Sequence, residues 1–304
     1  MAPVGIIIIT YNSAAEIGAC LDAAQWVGAD LIVVDNASSD GTVDEVNRRG
    51  VRLIANRENR GFAAAANQGF AELMNPYLLL LNPDAVLMTG LEPLREACDL
   101  PGSVGAGGRL VGENGQMQTG FMARQLPTAG TLVLETLVLN RLFPRNPVNG
   151  RYRLLGHDYS RRFSVEQPAG AFLMVRRSAW RELGGFDERF YPIWFEDVDF
   201  CKRIRDRGWL LYYVPEAVAK HTGGHSIPHL PVEMRRVYWY RSLLRYSAKH
   251  FSRGAFGAVC ASVALGSVLR GVAEMVSGRS IKSAAGYGRV IRLAMGGLFG
   301  SSRS

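Results

Sequence analysis

Cysteine is scarce: Cys20, Cys98, Cys201 and Cys260 are the four in 304 residues, and no two form a Cys-x-x-Cys pair. That spacing offers neither a zinc ligand set nor a disulfide framework, so the thiols read as reduced, in a cytosolic protein. No Gly-x-Gly-x-x-Gly follows a predicted strand, which argues against a dinucleotide-dependent dehydrogenase. There is no internal repeat at solenoid spacing and no recognised nucleic-acid-binding module. The apolar start of the chain is too short for a signal-peptide core, lacks a basic flank and ends in a polar turn, so the sequence reads as not secreted. What is present is ample apolar material, 48% hydrophobic against 20% charged, enough to bury a sizeable core. The formal net charge of +8 suits nucleic acid, anionic lipid or a phosphorylated substrate as partner, or a solvated basic surface.

Short β-branched or leucine-rich runs at Gly5–Thr10, Ala29–Val34, Val51–Ala55 and Tyr77–Leu81 predict buried strands. Helical spacing fills Ala14–Gln25, Thr42–Arg49 and Gly61–Met74 between them. Strands alternating with helices imply a mainly parallel sheet with helices on both faces, and ligands bind beyond the carboxyl ends of such strands. The region from Pro101 to Pro168, rich in Gly, Asn, Arg and Pro, reads as loops with short elements. Gln167–Val175 reads as one strand, Arg177–Leu183 and Asp197–Gly208 as helices, and Leu210–Val214 as a final strand.

Three polar clusters fall at three predicted strand ends: Thr10–Ser13, Asp35–Gly41 and Asn82–Asp84. A carboxylate at Asp35 can accept hydrogen bonds from a nucleobase or ribose, whereas Asp40 serves equally well as a helix cap or as a ligand contact. Asp84, at the end of four leucines, either closes an Asn-Pro-Asp turn or faces a divalent cation bridging diphosphate oxygens. Glu196, Asp197 and Asp199 crowd the first turn of a helix, where the dipole offsets part of their repulsion. The aromatic flanks Tyr191, Trp194, Phe195 and Phe200 would raise a carboxylate's basicity, as a general base requires. His221 and His225 flank Thr-Gly-Gly just beyond the last strand; His221 is the better placed of the two to reach a metal.

The order IIIITYN, VVDNASSDGT, NRGFAAAANQG, LLLLNPDA and GGFDERFYPIWFEDVDFCKRIRDRGW resembles glycosyltransferase family 2, and looks closest to its bacterial rhamnosyltransferase-like branch. The resemblance spans residues 4–226. It implies an α/β GT-A fold, Rossmann-like, and an inverting, metal-dependent sugar transfer from a nucleotide-diphosphate donor. Thr10, Tyr11, Asn12, Asp35 and Asp40 would line the nucleotide pocket. Arg60, Gly61, Phe62, Asn67 and Asn82 would line the rest of the donor site. Asn82-Pro83-Asp84 stands where family members carry Asp-x-Asp, so a Mn²⁺ or Mg²⁺ would rest mainly on Asp84, helped by His221. Asp197 would be the catalytic base, with Gly170, Trp194, Phe195 and Glu196 on the acceptor side. The expected donor is dTDP-L-rhamnose, with UDP-galactofuranose, UDP-glucose and UDP-N-acetylglucosamine open. A non-catalytic sugar-nucleotide-binding protein on the same fold is the rival reading. A nucleotidyltransferase usually opens with a Gly-rich basic loop, where this chain has Tyr11-Asn12-Ser13.

The expected division is a catalytic domain over 1–228, with a nucleotide-sugar half to about 100 and an acceptor half from 101, and a helical C-terminal extension over 229–304. That extension opens basic and aromatic over 232–251 and continues with the uncharged Gly254–Leu269. Sixteen residues fall short of the ~20 that span a bilayer. The segment either lies shallowly in a membrane or packs as a core helix. The resemblance implies a glycan or polyprenyl-diphosphate-linked acceptor at the inner face of the cell membrane; the basic, aromatic composition suits peripheral association with such an anionic surface, and no nucleic-acid partner is expected. The sequence leaves the oligomeric state open.

Overall fold

The computed structural model describes residues 3–223, 231–276 and 281–298. In chain order the elements are β1 (Val4–Thr10), α1 (Ile17–Trp26), β2 (Asp30–Asp35), α2 (Thr42–Arg48), β3 (Arg52–Ala55), α3 (Phe62–Ala71), β4 (Tyr77–Leu81), β5 (Ala85–Leu87), α4 (Glu92–Cys98), β6 (Ser103–Val111) and β7 (Ala123–Arg124). Then follow α5 (Ala129–Thr136), α6 (Leu139–Leu142), α7 (Pro147–Tyr152), β8 (Phe163–Val165), β9 (Gln167–Pro168), β10 (Phe172–Arg176), α8 (Arg177–Leu183), α9 (Glu196–Asp206) and β11 (Leu210–His221). The chain closes with α10 (Val232–His250), α11 (Arg253–Val276) and α12 (Ile281–Leu298).

Two compact units result, the first made of Met1–Leu126, Arg153–Pro192 and Glu196–Ser226, the second of Pro127–Tyr152, Ile193–Phe195 and Ile227–Ser304. The first unit is built on a sheet in the order β3-β2-β1-β4-β10-β6-β11-β5, with β8 paired to β11. Four parallel strands, β3 to β4, form the half predicted from the alternating pattern. Ile6–Ile9, Ile32–Val34 and Leu78–Leu81 are buried on both faces, as a parallel sheet sandwiched by helices requires, while the edge strand β3 is only partly buried. The small residues of α3 let it lie close: a Cβ on Gly69 would stand 2.8 Å from the Ile7 side chain.

The other half of the sheet is mixed. β10 runs antiparallel to both β4 and β6, and β11 runs parallel to β6 but antiparallel to β5. The region expected to be loops from 101 to 168 contains β6, the nine-residue strand SVGAGGRLV. Its glycines misled the reading, since glycine weakens a strand unless a neighbour approaches closely. Here Cβ atoms at Gly107 and Gly108 would fall 2.4 Å from Pro168 and 2.2 Å from Phe172, so only glycine lets these layers meet. The single strand expected over Gln167–Val175 is two, β9 and β10, broken around Gly170. The last strand runs to His221 rather than Val214, with a register shift between Val214 and Val218 where it passes β6.

The second unit is helical. Thr136 on α5 and Ser262 on α11 share a buried hydroxyl contact of 2.8 Å. Arg236 on α10 makes a two-pronged ion pair with Glu274 on α11, at 2.5 and 3.0 Å, and lies over the Tyr287 ring of α12. α11, 24 residues long, contains the uncharged stretch together with Arg253, Arg270 and Glu274, and is long and apolar enough by length and composition to cross a membrane.

Candidate active site

The ends of β1 and β2 are tied together by their own polar side chains. Asp35 is 1% exposed and accepts from the Thr10 hydroxyl at 2.7 Å and from the Ser38 N–H and hydroxyl at 2.9 and 2.5 Å. Asn12, with φ 51°, accepts from the Ser39 N–H at 2.8 Å, and its own N–H donates to the Ser38 hydroxyl at 2.8 Å. Asp40 fastens the base of α2. It accepts from the Thr42 N–H at 3.0 Å, the Thr42 hydroxyl and the Ala14 N–H at 3.1 Å. Partial desolvation pushes its carboxyl up, but these bonds outweigh that and leave it below the usual range. Tyr11, at the tip of β1, keeps part of its surface. The loop is therefore a braced edge with hydroxyl and amide groups, a surface suited to a base and ribose.

The next segment is braced too. Asn36 donates to the Gly61 carbonyl at 3.1 Å and accepts from Asn56 at 3.1 Å and the Arg60 N–H at 3.4 Å. Gly61 has φ 84°, a conformation that other residues adopt at a penalty, and a Cβ there would meet the Tyr191 ring at 2.8 Å. The Phe62 N–H donates to the Pro192 carbonyl at 2.8 Å. Asn67 clamps α3 to the loop after α8, donating to the Phe186 carbonyl and Glu188 and accepting from the Phe186 N–H, each at 2.9 Å. Its amide is thus held within the protein, while the exposed Arg60 stands at the opening of the loop.

At the end of β4 the pairing of β5 with β11 sets Ala85 opposite His221, and so brings Asp84 to the imidazole. Asp84 Oδ1 is 3.5 Å from His221 Nε2, with the side chains 7% and 4% exposed. Asp84 Oδ2 accepts from the Gly223 N–H at 2.8 Å, and Asn82 Nδ2 lies 3.4 Å from His221 Nε2. Gln118 fixes the ring. Its Nε2 donates to the His221 carbonyl at 2.6 Å, so its Oε1, 2.9 Å from Nδ1, must accept the Nδ1 proton. Phe121 stacks on the imidazole at 5.3 Å. In the neutral imidazole Nε2 would present its lone pair beside a carboxylate oxygen in a nearly dry place, with the Asn82 amide also within reach of it. A neutral imidazole is a common metal ligand, its other ring nitrogen held by an outer partner, and a carboxylate oxygen beside it is a second one. Among the described residues no group of three or more His, Cys, Asp or Glu side chains is placed to hold a metal ion together. His225 lies outside the described residues.

The three acids of α9 divide into three roles. Asp199 is 0% exposed and paired with Arg203 at 2.8 Å, whose guanidinium also donates to the Leu183 and Gly185 carbonyls. Glu196 is 5% exposed, and its Oε2 has no hydrogen-bond partner. Burial, reinforced by the Asp197 charge, pushes its carboxyl well above the usual range, which favours the protonated form. Asp197 accepts from the Gly170 N–H at 3.2 Å, from Gln167 at 3.5 Å and from the Val198 N–H at 2.8 Å. Burial raises its pKa; the Val198 and Gly170 bonds and the Arg124 charge counter that only in part. The Asn82 N–H donates to the Ala171 carbonyl at 3.0 Å, next in the chain to Gly170. Asp84 and Asp197 therefore flank the same sheet end, joined through the short link between β9 and β10. Trp194 and Phe195 are counted with the second unit, where Phe195 packs on Trp239 and Tyr246. Both have φ above 60°, a strained conformation for large side chains.

Gln118 and Gln167 were not legible as site residues. Both are single glutamines in irregular sequence. Gln118 gains His221 as its partner because the turn after β6 folds back, the Gln118 N–H donating to the Leu110 carbonyl at 2.9 Å, and Gln167, on β9, reaches Asp197 of α9.

A half-parallel sheet with acidic side chains gathered at its carboxyl edge is the architecture of the GT-A fold. Residues 5–183 match the sequence profile described as Glycosyl transferase family 2, and the chain belongs to that family. It is 30% identical over 276 residues, 80% of this chain and 88% of the other, to the N-acetylglucosaminyl-diphospho-decaprenol L-rhamnosyltransferase of Mycobacterium tuberculosis. A shorter match, 38% over 62 residues, covers 20% of this chain and 23% of the rhamnosyltransferase WbbL of Escherichia coli. In fold it is similar to the mannosyltransferase PcManGT of Pyrobaculum calidifontis, solved with GDP-Man and Mn²⁺. That match has a TM-score of 0.54, with 16% identity, 98% of this chain and 88% of that one covered. The protein is a glycosyltransferase.

Proposed function

We propose that the protein transfers L-rhamnose from dTDP-L-rhamnose to a hydroxyl of a lipid-linked or cell-surface glycan acceptor, inverting the anomeric carbon. The observation that carries this is Asp197, a desolvated carboxylate, at the same sheet end as the Asp84–His221 pair, in a chain 30% identical to a lipid-linked-acceptor rhamnosyltransferase. The braced loops of Thr10–Asn12, Asp35–Asp40 and Arg60–Phe62 form the donor's nucleotide wall. Asp84 and His221 would hold a Mn²⁺ or Mg²⁺, with Gln118 fixing the imidazole and phosphate oxygens completing the set. A bound cation would supply charge neutralisation for the departing diphosphate. The acceptor oxygen attacks the anomeric carbon, the carbon–phosphate-oxygen bond breaks, and Asp197 Oδ takes the hydroxyl proton. Burial makes Asp197 a stronger base than a free aspartate, while the Gly170 and Val198 N–H groups hold its orientation. Neutral Glu196 beside it adds no second charge. In this reading 1–228 is the catalytic domain and 229–304 an extension that holds the enzyme at the inner face of the cell membrane.

The test is a panel of nucleotide sugars, with and without Mn²⁺, scored by thermal shift and by transfer. dTDP-L-rhamnose should give the largest stabilisation, since a ligand raises apparent stability with its concentration over Kd. Asp197→Asn should lower turnover by ~10²–10⁴, the usual worth of a general base, with donor affinity kept. Near-normal turnover in that variant would remove Asp197 from the role.

A further inference from the structure

The second unit contains a groove of about 350 Å³ between α10 and α12. Its floor is apolar, formed by Met234, Val237 and Leu293. Its rim carries Arg241, Arg289 and Arg292, with Tyr238 beside them. Elsewhere in this unit Arg236 is paired with Glu274, and Arg270 is held by the Tyr240 hydroxyl and the Glu135 carbonyl. The rim arginines differ. Arg241 meets the Tyr238 ring at 5.8 Å and Arg289 the Met234 sulfur at 3.8 Å, and among the described residues none of the three contacts a carboxylate. Three guanidiniums held around one recess, with no acid among them, repel one another unless an anion joins them.

A second feature says what kind of anion. On α11, Leu265, Val268, Leu269, Val272, Met275 and Val276 are each 47–84% exposed. Their spacing of three and four residues puts them on one face of the helix. A contiguous exposed apolar stripe of this kind marks an interaction surface, and in a basic unit it fits a lipid interface.

We infer that the α10–α12 groove binds the headgroup phosphate of an anionic membrane lipid, its guanidiniums gripping the phosphate oxygens and its apolar floor taking the first methylenes of the chains. Arginine suits this task, because its planar fork pairs two phosphate oxygens at once. The inference rests on the proposed membrane association and names the place and chemistry of the contact.

The experiment is sedimentation of the full chain with phosphatidylcholine vesicles, with and without phosphatidylglycerol. Wild type should partition onto the anionic vesicles, and Arg241→Gln/Arg289→Gln/Arg292→Gln should bind them roughly 10²-fold more weakly, since each basic residue near an anionic surface adds severalfold. A control with the same loss of charge, Arg48→Gln/Arg52→Gln/Arg207→Gln, removes ion-paired arginines of the first unit and should keep most of the binding. Equal loss in both triple variants would overturn the groove, showing that net charge alone is at work. Undiminished binding in the groove variant would overturn it too, while leaving membrane association intact. Wild type that fails to bind phosphatidylglycerol vesicles would overturn both the groove and the membrane reading. Circular dichroism on each variant keeps misfolding apart from lost binding, and Lys at the three positions should restore part of the affinity by charge.

Discussion

A methyl group at Gly170 tests the geometry of the proposed base with the smallest change available. The backbone there is open to any residue, so the effect of Gly170→Ala is one of space. The new Cβ would stand 3.1 Å from both Cβ and Oδ2 of Asp197, where ordinary contact begins at 3.4 Å. Asp197 is anchored on the first turn of α9 and bonded to the Val198 N–H, so the separation has to open by about 0.3 Å or more, at the 3.2 Å bond from the Gly170 N–H. A ~1 Å misplacement of a catalytic group lowers rates by ~10²-fold, so an opening of about 0.3 Å should lower kcat by about fourfold or more, and donor Kd should hold. Overpacking should lower stability by about 1–3 kcal/mol, read as a urea midpoint shift. The pH profile separates this from general damage. The Gly170 N–H is one of the groups that lower the Asp197 pKa. Weakening it raises that pKa further, so Asp197 is protonated over a wider range and the acid limb of kcat/KM moves to higher pH. A variant with kcat within twofold of wild type and an unmoved acid limb would refute the assignment of Gly170 as the support of the base.

Two further outcomes follow from the same region. Glu196 is raised well above 4.5 in the fold, so the stability it contributes is present below about pH 4.5 and is lost as pH rises toward its folded pKa. Glu196→Gln removes that loss; its stability advantage over wild type should grow by up to about 1.4 kcal/mol per pH unit through this window, read by thermal melts at acid and neutral pH, and a constant difference would count against a protonated Glu196. Gln118→Leu leaves Asp84 and His221 in place but frees the imidazole to turn; Mn²⁺ affinity, by calorimetry or by the Mn²⁺ dependence of transfer, should weaken by ~10–100-fold, and unchanged affinity would detach Gln118 from the cation site.

Half of the sheet was legible because its strands are buried on both faces and its helices alternate with them. Nothing but apolar periodicity is needed to place Ile6–Ile9 or Leu78–Leu81, and the polar clusters after them mark the edge where a ligand binds. The half beyond β4 was not legible, for two reasons tied to particular residues. Gly105, Gly107 and Gly108 carry no periodicity, because their role is to leave room for Met174, Pro168 and Phe172. Gln118, for its part, acquires meaning only when the turn after β6 folds back and β11 pairs with β6, which brings it to His221, 103 residues further along the chain.

The acidic run of α9 shows why composition alone understates a site of this kind. In sequence, Glu196, Asp197 and Asp199 are three like charges on one turn, and helix-dipole stabilisation at ~0.3–1 kcal/mol each is too weak to hold three bare carboxylates together in a buried place. The fold resolves the conflict by giving each a different partner. Arg203 neutralises Asp199, and Arg203 is itself fixed by two carbonyls of the Gly184–Gly185 turn. Glu196 escapes by taking up a proton, since no donor reaches its Oε2. Asp197 is then the one acid of the three that is not ion-paired within α9 and whose carboxylate is supported by backbone N–H groups, which offset part of the rise that burial brings. Replacing the buried Asp199–Arg203 pair would therefore disturb more than the packing of α9, because the turn it anchors is also where Asn67 joins α3 to the Gly185–Phe186 backbone, beside the proposed donor wall.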